Sequence, residues 1–262
     1  MPFERATRRL LADLVPRVIH LPVERRPRWR PASKVVPQSG SGKCSYSYCA
    51  DYSRETLRDN DYTMALRPWS HNMNYYDFVL RCVVPGCQRV LDVGCGQGLL
   101  ARRLAQCCEE VIAIDVDHDV ISRARASSRS DSSIRFVKVD VMTYPFPDES
   151  FDLVTLVATI HHLQLRPALI RLRKLLKPGG VLAIVGLYRG ETLTDLAVAA
   201  IAFPVSWIFR LVRGYADVGA PVQEPRETLA EIRRECDLLL PGATLRRRLL
   251  FRYSLIWRKA PK

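Results

Sequence analysis

The nine residues Val90 to Gly98, VLDVGCGQG, constrain this chain more than any other stretch. Apolar Val90, Leu91 and Val93 around one acid read as a short buried strand, and three glycines at alternate positions follow at once. Glycine has no Cβ, so such a turn can take positive φ and let a ligand come against the backbone. A helical apolar stripe, Leu100, Leu104 and Cys107, comes next. Strand, glycine turn and helix in that order open a parallel α/β unit whose ligand sits at the strand's carboxyl end.

The alternation continues on both sides. The spacing predicts a helix over Asn72–Val83, then strands at Arg89–Val93, Glu110–Ile114, Ile134–Val139, Phe151–Val157 and Val181–Leu187. Between them lie helices at Leu99–Cys107, Asp117–Ala126 and Arg166–Leu176, with Pro178-Gly179-Gly180 as a turn. After Leu187 the pattern changes to a long apolar helical region, Glu191–Val212, and a more polar helix, Pro225–Leu238. Two β-like segments follow, Thr244–Phe251 and Tyr253–Trp257. The expected fold is α/β, a Rossmann-like doubly wound, mostly parallel seven-stranded sheet with helices on both faces. A helical insertion over 190–222, after the fifth strand, either caps a ligand pocket or packs on the sheet or a partner chain.

Charge marks off the two ends. Residues 1–43 carry ten Lys/Arg against three acids and residues 226–262 ten against four, while the centre balances at twenty against twenty. The Arg- and Pro-rich start, ending in Ser39-Gly40-Ser41-Gly42, reads as a poorly ordered extension over 1–60 ahead of a domain over 61–262. Glu4, Asp13 and Glu24 argue against an organellar transit peptide, and a start at Met64 would make the whole segment an upstream extension. Gly40-Ser41-Gly42-Lys43 is no phosphate loop, because Pro37 and Cys44 replace the glycine and Ser/Thr that motif requires. Eight cysteines without a CxxC pair support neither zinc nor a disulfide framework, and point to reduced thiols in a cytoplasmic protein. The longest apolar stretch, Leu196 to Phe209, is too short to cross a bilayer and is interrupted by Pro204.

Asp115, at the end of the second strand, is placed to accept hydrogen bonds from two ribose hydroxyls. Two ligand classes compete for the glycine loop. Gly96-Gln97-Gly98-Leu99-Leu100-Ala101 satisfies a permissive dinucleotide fingerprint, whereas Asp92 to Gly98 reads Asp-x-Gly-x-Gly-x-Gly. The acid two residues before the first glycine decides between them. A carboxylate there crowds an anionic pyrophosphate but suits a cationic aminoacyl sulfonium.

Val90–Gly98 resembles the first motif of the class I S-adenosylmethionine-dependent methyltransferases. The likeness continues through Ala113-Ile114-Asp115-Val116-Asp117, Val139-Asp140-Val141, Pro145–Asp152 and Leu175–Gly180. In order and spacing this is similar to the small-molecule branch called methyltransferase type 11, over roughly residues 70–188. The resemblance implies S-adenosyl-L-methionine as cofactor, with Gly94, Cys95, Gly96 and Gly98 lining its methionine moiety and Asp92 near its amino group. It implies Asp115 on the ribose, Val116 against adenine, Asp140 on the adenine amino group and Val141 beside the ring.

Thr159-Ile160-His161-His162-Leu163 follows the fourth strand, where donor and acceptor should meet. Methyl transfer is an in-line displacement, so the enzyme chiefly brings two partners into line. Histidine, with an ordinary pKa of about 6.5, suits a base for a hydroxyl, amine or acidic carbon. His162 is the first candidate for that role and His161 the second; the alternative is that they only hold the loop. No third ligand stands near them for a metal. Upstream, His71, Tyr75 or Tyr76 is placed to touch cofactor or acceptor, and Trp69 is equally a packing residue.

A small-molecule acceptor is the expected partner, for a monomer or homodimer. Arg25-Arg26-Pro27-Arg28 and Arg246-Arg247-Arg248 raise an RNA methyltransferase as the alternative. Ala158-Thr159-Ile160-His161-His162 stands where nucleic-acid amino methyltransferases carry an Asn/Asp-Pro-Pro-Tyr-type motif, which counts against nucleic acid. The Arg-flanked aromatic stretch 193–213 suggests peripheral membrane contact, or a binding protein without catalysis.

Overall fold

The structure is a computed structural model that describes residues 72–128, 132–191, 223–249 and 251–261. The N-terminal extension, His71, Trp69 and almost all of the 190–222 insertion lie outside the described residues. So do the basic cluster at Arg25 and the stretch 193–213.

Seven strands form one sheet in the order β3-β2-β1-β4-β5-β7-β6. They are β1 Arg89–Val93, β2 Glu110–Asp115, β3 Ile134–Lys138, β4 Phe151–Val157, β5 Leu176–Leu187, β6 Thr244–Arg248 and β7 Arg252–Arg258. The first five run parallel, and β7 lies antiparallel between β5 and β6. The helices are α1 Tyr76–Leu80, α2 Leu99–Leu104, α3 His118–Ala126, α4 Leu165–Leu175 and α5 Leu229–Leu239. α1, α2 and α3 pack on one face, through Val79, Leu100, Leu104, Ile121 and Ala124. α4 and α5 pack on the other, through Leu169, Leu172, Leu175, Ile232 and Cys236. The sheet is therefore doubly wound, and the strand order reverses between β1 and β4. Such a reversal leaves a crevice at the carboxyl ends of the strands, where ligands of open α/β sheets bind.

The physical cause of each element is local. The strand cores read Val, Leu and Ile with almost no exposed surface, as strands covered on both faces must. Asp117 caps α3, its carboxylate accepting from the backbone N–H groups of Asp119 and Val120. Thr228 and Glu231 form a reciprocal capping box at the start of α5. The helix therefore starts at Leu229, four residues later than Pro225.

Other boundaries differ from the sequence reading, three of them near the site or with a clear physical cause. The predicted helix over Asn72–Val83 is a 3-10 turn, Met73–Tyr75, followed by only Tyr76–Leu80. No side chain caps its start, and the Asn72 side chain instead accepts from Arg252 Nη1 at 2.8 Å. Pro178-Gly179-Gly180 is not a free turn but lies inside β5, in a register shift opposite Phe151 and Leu153. Gly180 fits there because a Cβ would crowd the Lys177, Phe151 and Asp152 carbonyls. Finally α2 stops at Leu104, three residues before the predicted Cys107.

Candidate active site

The glycine turn leaves β1 at the crevice. Gly94, Gly96 and Gly98 all take positive φ, at 69°, 54° and 75°. Gly94 and Cys95 donate their backbone N–H groups to Ile114 O at 2.8 and 3.0 Å, which ties the loop to the end of β2. A side chain at Gly94 would overlap Thr159, and one at Gly98 would enter the Phe136 ring. Around Gly96, by contrast, no atom stands within 4 Å of where a Cβ would be. The turn is packed at its two ends and open in its middle.

Two carboxylates flank it. Asp115 accepts from Gly96 N–H and from Asp117 N–H, both at 3.1 Å, one on each oxygen. Each oxygen keeps a second lone pair for a ligand hydroxyl. Asp92, 2% exposed, accepts from Thr155 Oγ1 at 2.9 Å on Oδ1, while its buried Oδ2 has no hydrogen-bond partner. An unmet buried acceptor costs about 1–3 kcal/mol. Burial pushes the Asp92 carboxyl up to about 7, against the Thr155 bond, and the nearby Asp115 charge raises it further. The same burial, helped by Asp92, lifts the Tyr76 phenol to about 12. It is thus Tyr76, and not Tyr75, whose ionisation feels Asp92.

The remaining predicted contacts divide. Val116 is 64% exposed beside Asp115, an apolar side chain with no core to join. Asp140 Oδ1 accepts from Met142 N–H at 2.8 Å, so it caps a turn and keeps its other oxygen. Val141, expected beside the adenine ring, is 3% exposed and belongs to the core with Phe146 and Leu172. Cys95 also points into the core, and burial raises its thiol pKa, so its part is the backbone's. Tyr75, expected at the cofactor, is half-buried with the Arg252 guanidinium 5.8 Å from its ring centre.

The second half of the crevice starts where β4 ends. Ala158 takes a left-handed φ of 54° and donates its N–H to Val185 O at 2.7 Å. That conformation costs a non-glycine residue about 1–2 kcal/mol. The chain then turns through Thr159, which lies on Gly94, into a 3-10 turn, Ile160–His162. His161 is buried, with Nδ1 unpartnered; burial, then His162 and Arg252, push its pKa down to about 4. His162 is half-buried, stacks on His161 with ring centres 4.1 Å apart, and holds Gln223 Oε1 at 3.0 Å by Nδ1. Thr155, Thr159, Tyr76, Arg252 and Gln223 complete the site. Of these, Tyr76 was already a candidate beside Tyr75 and Thr159 opens the segment before the two histidines, whereas Thr155, Arg252 and Gln223 carry no sequence signal of their own.

The comparisons agree with this geometry. The profile of a methyltransferase domain family matches residues 91–184. Uncharacterized methyltransferases of Mycobacterium tuberculosis and Mycobacterium bovis are 39% identical over 199 residues, covering 73% of this chain and 98% of theirs. The chain belongs to the class I S-adenosylmethionine-dependent methyltransferases. This methyltransferase is also 34% identical over 148 residues to a ubiquinone biosynthesis O-methyltransferase of Xanthomonas campestris, covering 54% of this chain and 60% of that one. Among solved structures, the [4+2]-cyclase SpnF superposes with a TM-score of 0.55 at 18% identity, over 76% of this chain and 85% of that one. At that identity the likeness is one of fold.

Three observations fit the family's cofactor to this crevice: the open backbone at Gly96, the spare acceptor of Asp92 for a cationic amine, and the exposed apolar Val116 for a base. No group of three or more His, Cys, Asp or Glu suited to a metal occurs among the described residues. Nor is any described helix long and apolar enough to cross a membrane.

Proposed function

We propose that this methyltransferase acts on a small-molecule acceptor, with His162 as the base. The observation that supports this reading is the close approach of Thr159, the residue that opens the Ile160–His162 turn, to Gly94 of the glycine loop. S-adenosylmethionine supplies an electrophilic methyl group on a sulfonium. Gly94, Gly96 and Gly98 line its amino-acid portion, Asp92 Oδ2 accepts from its ammonium, Asp115 takes the ribose hydroxyls and Val116 covers the base. Asp140 offers its second oxygen to the adenine amino group. His162 takes a proton from the acceptor. His161, held neutral by burial, packs beside it.

Of the three adjacent arginines on β6, Arg248 is half-buried while Arg247 stays exposed, so the RNA alternative is weakened at Arg248. Arg248 Nε donates to Ser254 Oγ and its guanidinium lies over Phe78, while Arg247 Nε donates to the Tyr188 hydroxyl. A row of phosphate contacts needs such groups facing outward. Similarity to a ubiquinone biosynthesis O-methyltransferase and to a sterol 24-C-methyltransferase of Gibberella zeae also favours a small acceptor.

Methyl-labelled S-adenosylmethionine, incubated with the protein and either a small-metabolite extract or total RNA, tests the reading. Label should enter the low-molecular-weight fraction. Label in RNA alone would reverse the choice. Calorimetry should show binding of S-adenosylmethionine and its demethylated product but not NAD.

A further inference from the structure

Gln223 lies 61 residues after His162, and its Oε1 sits 3.0 Å from the imidazole Nδ1. An amide oxygen only accepts, so the neutral ring facing it carries its single proton on Nδ1. Nε2 then holds the lone pair, and it has no hydrogen-bond partner among the described residues. His161 has no such arrangement. Its Nδ1 is buried without a partner, and its uncharged ring lies against that of His162. The Arg252 charge reaches His161 from β7, and Tyr75 lies by that guanidinium. Among the described residues, these are the charged and titratable groups that act on His161 or lie by its charged neighbour.

We propose that Gln223 is a positioning residue of the methyl-transfer site: its side-chain oxygen holds the Nδ1 proton of His162 and so presents Nε2 as the nitrogen that accepts the acceptor's proton. The inference rests on the reading of His162 as base. In the step it serves, the proton on the acceptor's oxygen, nitrogen or carbon moves to Nε2. The electron pair left behind forms the bond to the methyl carbon, the carbon–sulfur bond breaks, and its electrons stay on a neutral thioether. Throughout, the Nδ1 proton stays on the imidazolium, still donated to Gln223. Glutamine suits this better than a carboxylate, because a neutral acceptor fixes the tautomer without making the ring so basic that it stays protonated.

Nitrogen NMR of the full-length, 15N-labelled protein tests this without an acceptor, unliganded and with S-adenosylhomocysteine. There are five histidines, so the His162 signals are identified by their loss in His162→Asn. At pH 8 the His162 proton should reside on Nδ1. Gln223→Leu should move it toward Nε2, the site imidazole prefers in water. Gln223→Glu should keep it on Nδ1 and raise the protonation midpoint by about 1 unit or more, as an opposite charge within a few ångströms does. A wild-type ring protonated on Nε2, or one that ignores both variants, would overturn the proposal for Gln223 alone. If instead His162→Asn turned over at the wild-type rate, the base reading would fall and this inference with it.

Discussion

The two halves of the crevice are built in different ways. The half at the ends of β1 and β2 is made of backbone and near neighbours: the Gly94–Gly98 turn, its tie to Ile114, and Asp115 accepting from Gly96 and Asp117. The half at the end of β4 gathers side chains from remote places, His162 with Gln223, and Arg252 with Asn72 across 180 residues. The first half is fixed by a short motif and suits a ligand shared by many relatives. The second depends on which distant residues the chain brings to the rim, and it is the half to which we assign the acceptor. One contact, Thr159 on Gly94, joins them.

That division can be broken by substitution. His162→Ala should lower turnover by about 10²–10⁴-fold, the usual worth of a general base, and leave the affinity for S-adenosylhomocysteine unchanged. Equal losses in both would mean the halves are not separable. Gly94→Ala should damage both at once, because φ of 69° disfavours a Cβ and the added atom overlaps Thr159. We expect roughly 2–5 kcal/mol lost from cofactor binding and stability together, read by calorimetry and thermal melts. Adding Thr159→Ser should leave the loss in place, since the hydroxyl and Cβ remain.

Asp92→Asn sharpens the contrast, since function and stability should move in opposite directions. Its folded pKa of about 7 lies above the ordinary carboxylate value, so the folded state holds the proton more tightly than the unfolded chain. The stability this contributes is complete at low pH and is lost as pH rises through about 7. The asparagine variant should therefore melt near wild type at pH 4 and higher at pH 8, by at most about 4 kcal/mol for the full shift. It should also bind the cofactor more weakly. A variant less stable than wild type at pH 8 would remove the strain assigned to this carboxylate. Asp115→Ala should have the smallest effect, about 1–3 kcal/mol in cofactor affinity with turnover of the bound enzyme little changed.

Much of the first half was legible because its signals are local. Glycines at alternate positions after an apolar strand announce positive φ, and an acid after the next strand follows from parallel pairing. The sequence also showed the two final β segments, the first ending three residues early at Arg248 and the second one residue longer at each end. Asp92's partner was hidden, because Thr155 is its neighbour only through the β1–β4 register. Tyr75 and Tyr76 could not be told apart in the sequence, since a helix predicted over Asn72–Val83 has a different phase from a 3-10 turn followed by a short helix. Val141 sits one residue beyond a turn cap, and no local pattern tells whether such a valine faces the ligand or the core. Gln223 and Arg252 carry no signal at all in isolation, as their roles exist only once the segment before α5 and the start of β7 reach the same rim.

β7 lies between β5 and β6, although β6 precedes it along the chain. During synthesis from the N terminus, β5 is therefore an open edge until Arg252–Arg258 emerges, and β6 leaves the ribosome with no strand to join. Growing chains stopped in that interval expose a long apolar strand, Val181 to Val185, to any neighbouring chain able to pair with it. The rim at the end of β4, which takes Arg252 from this last strand, is complete only when that edge is covered.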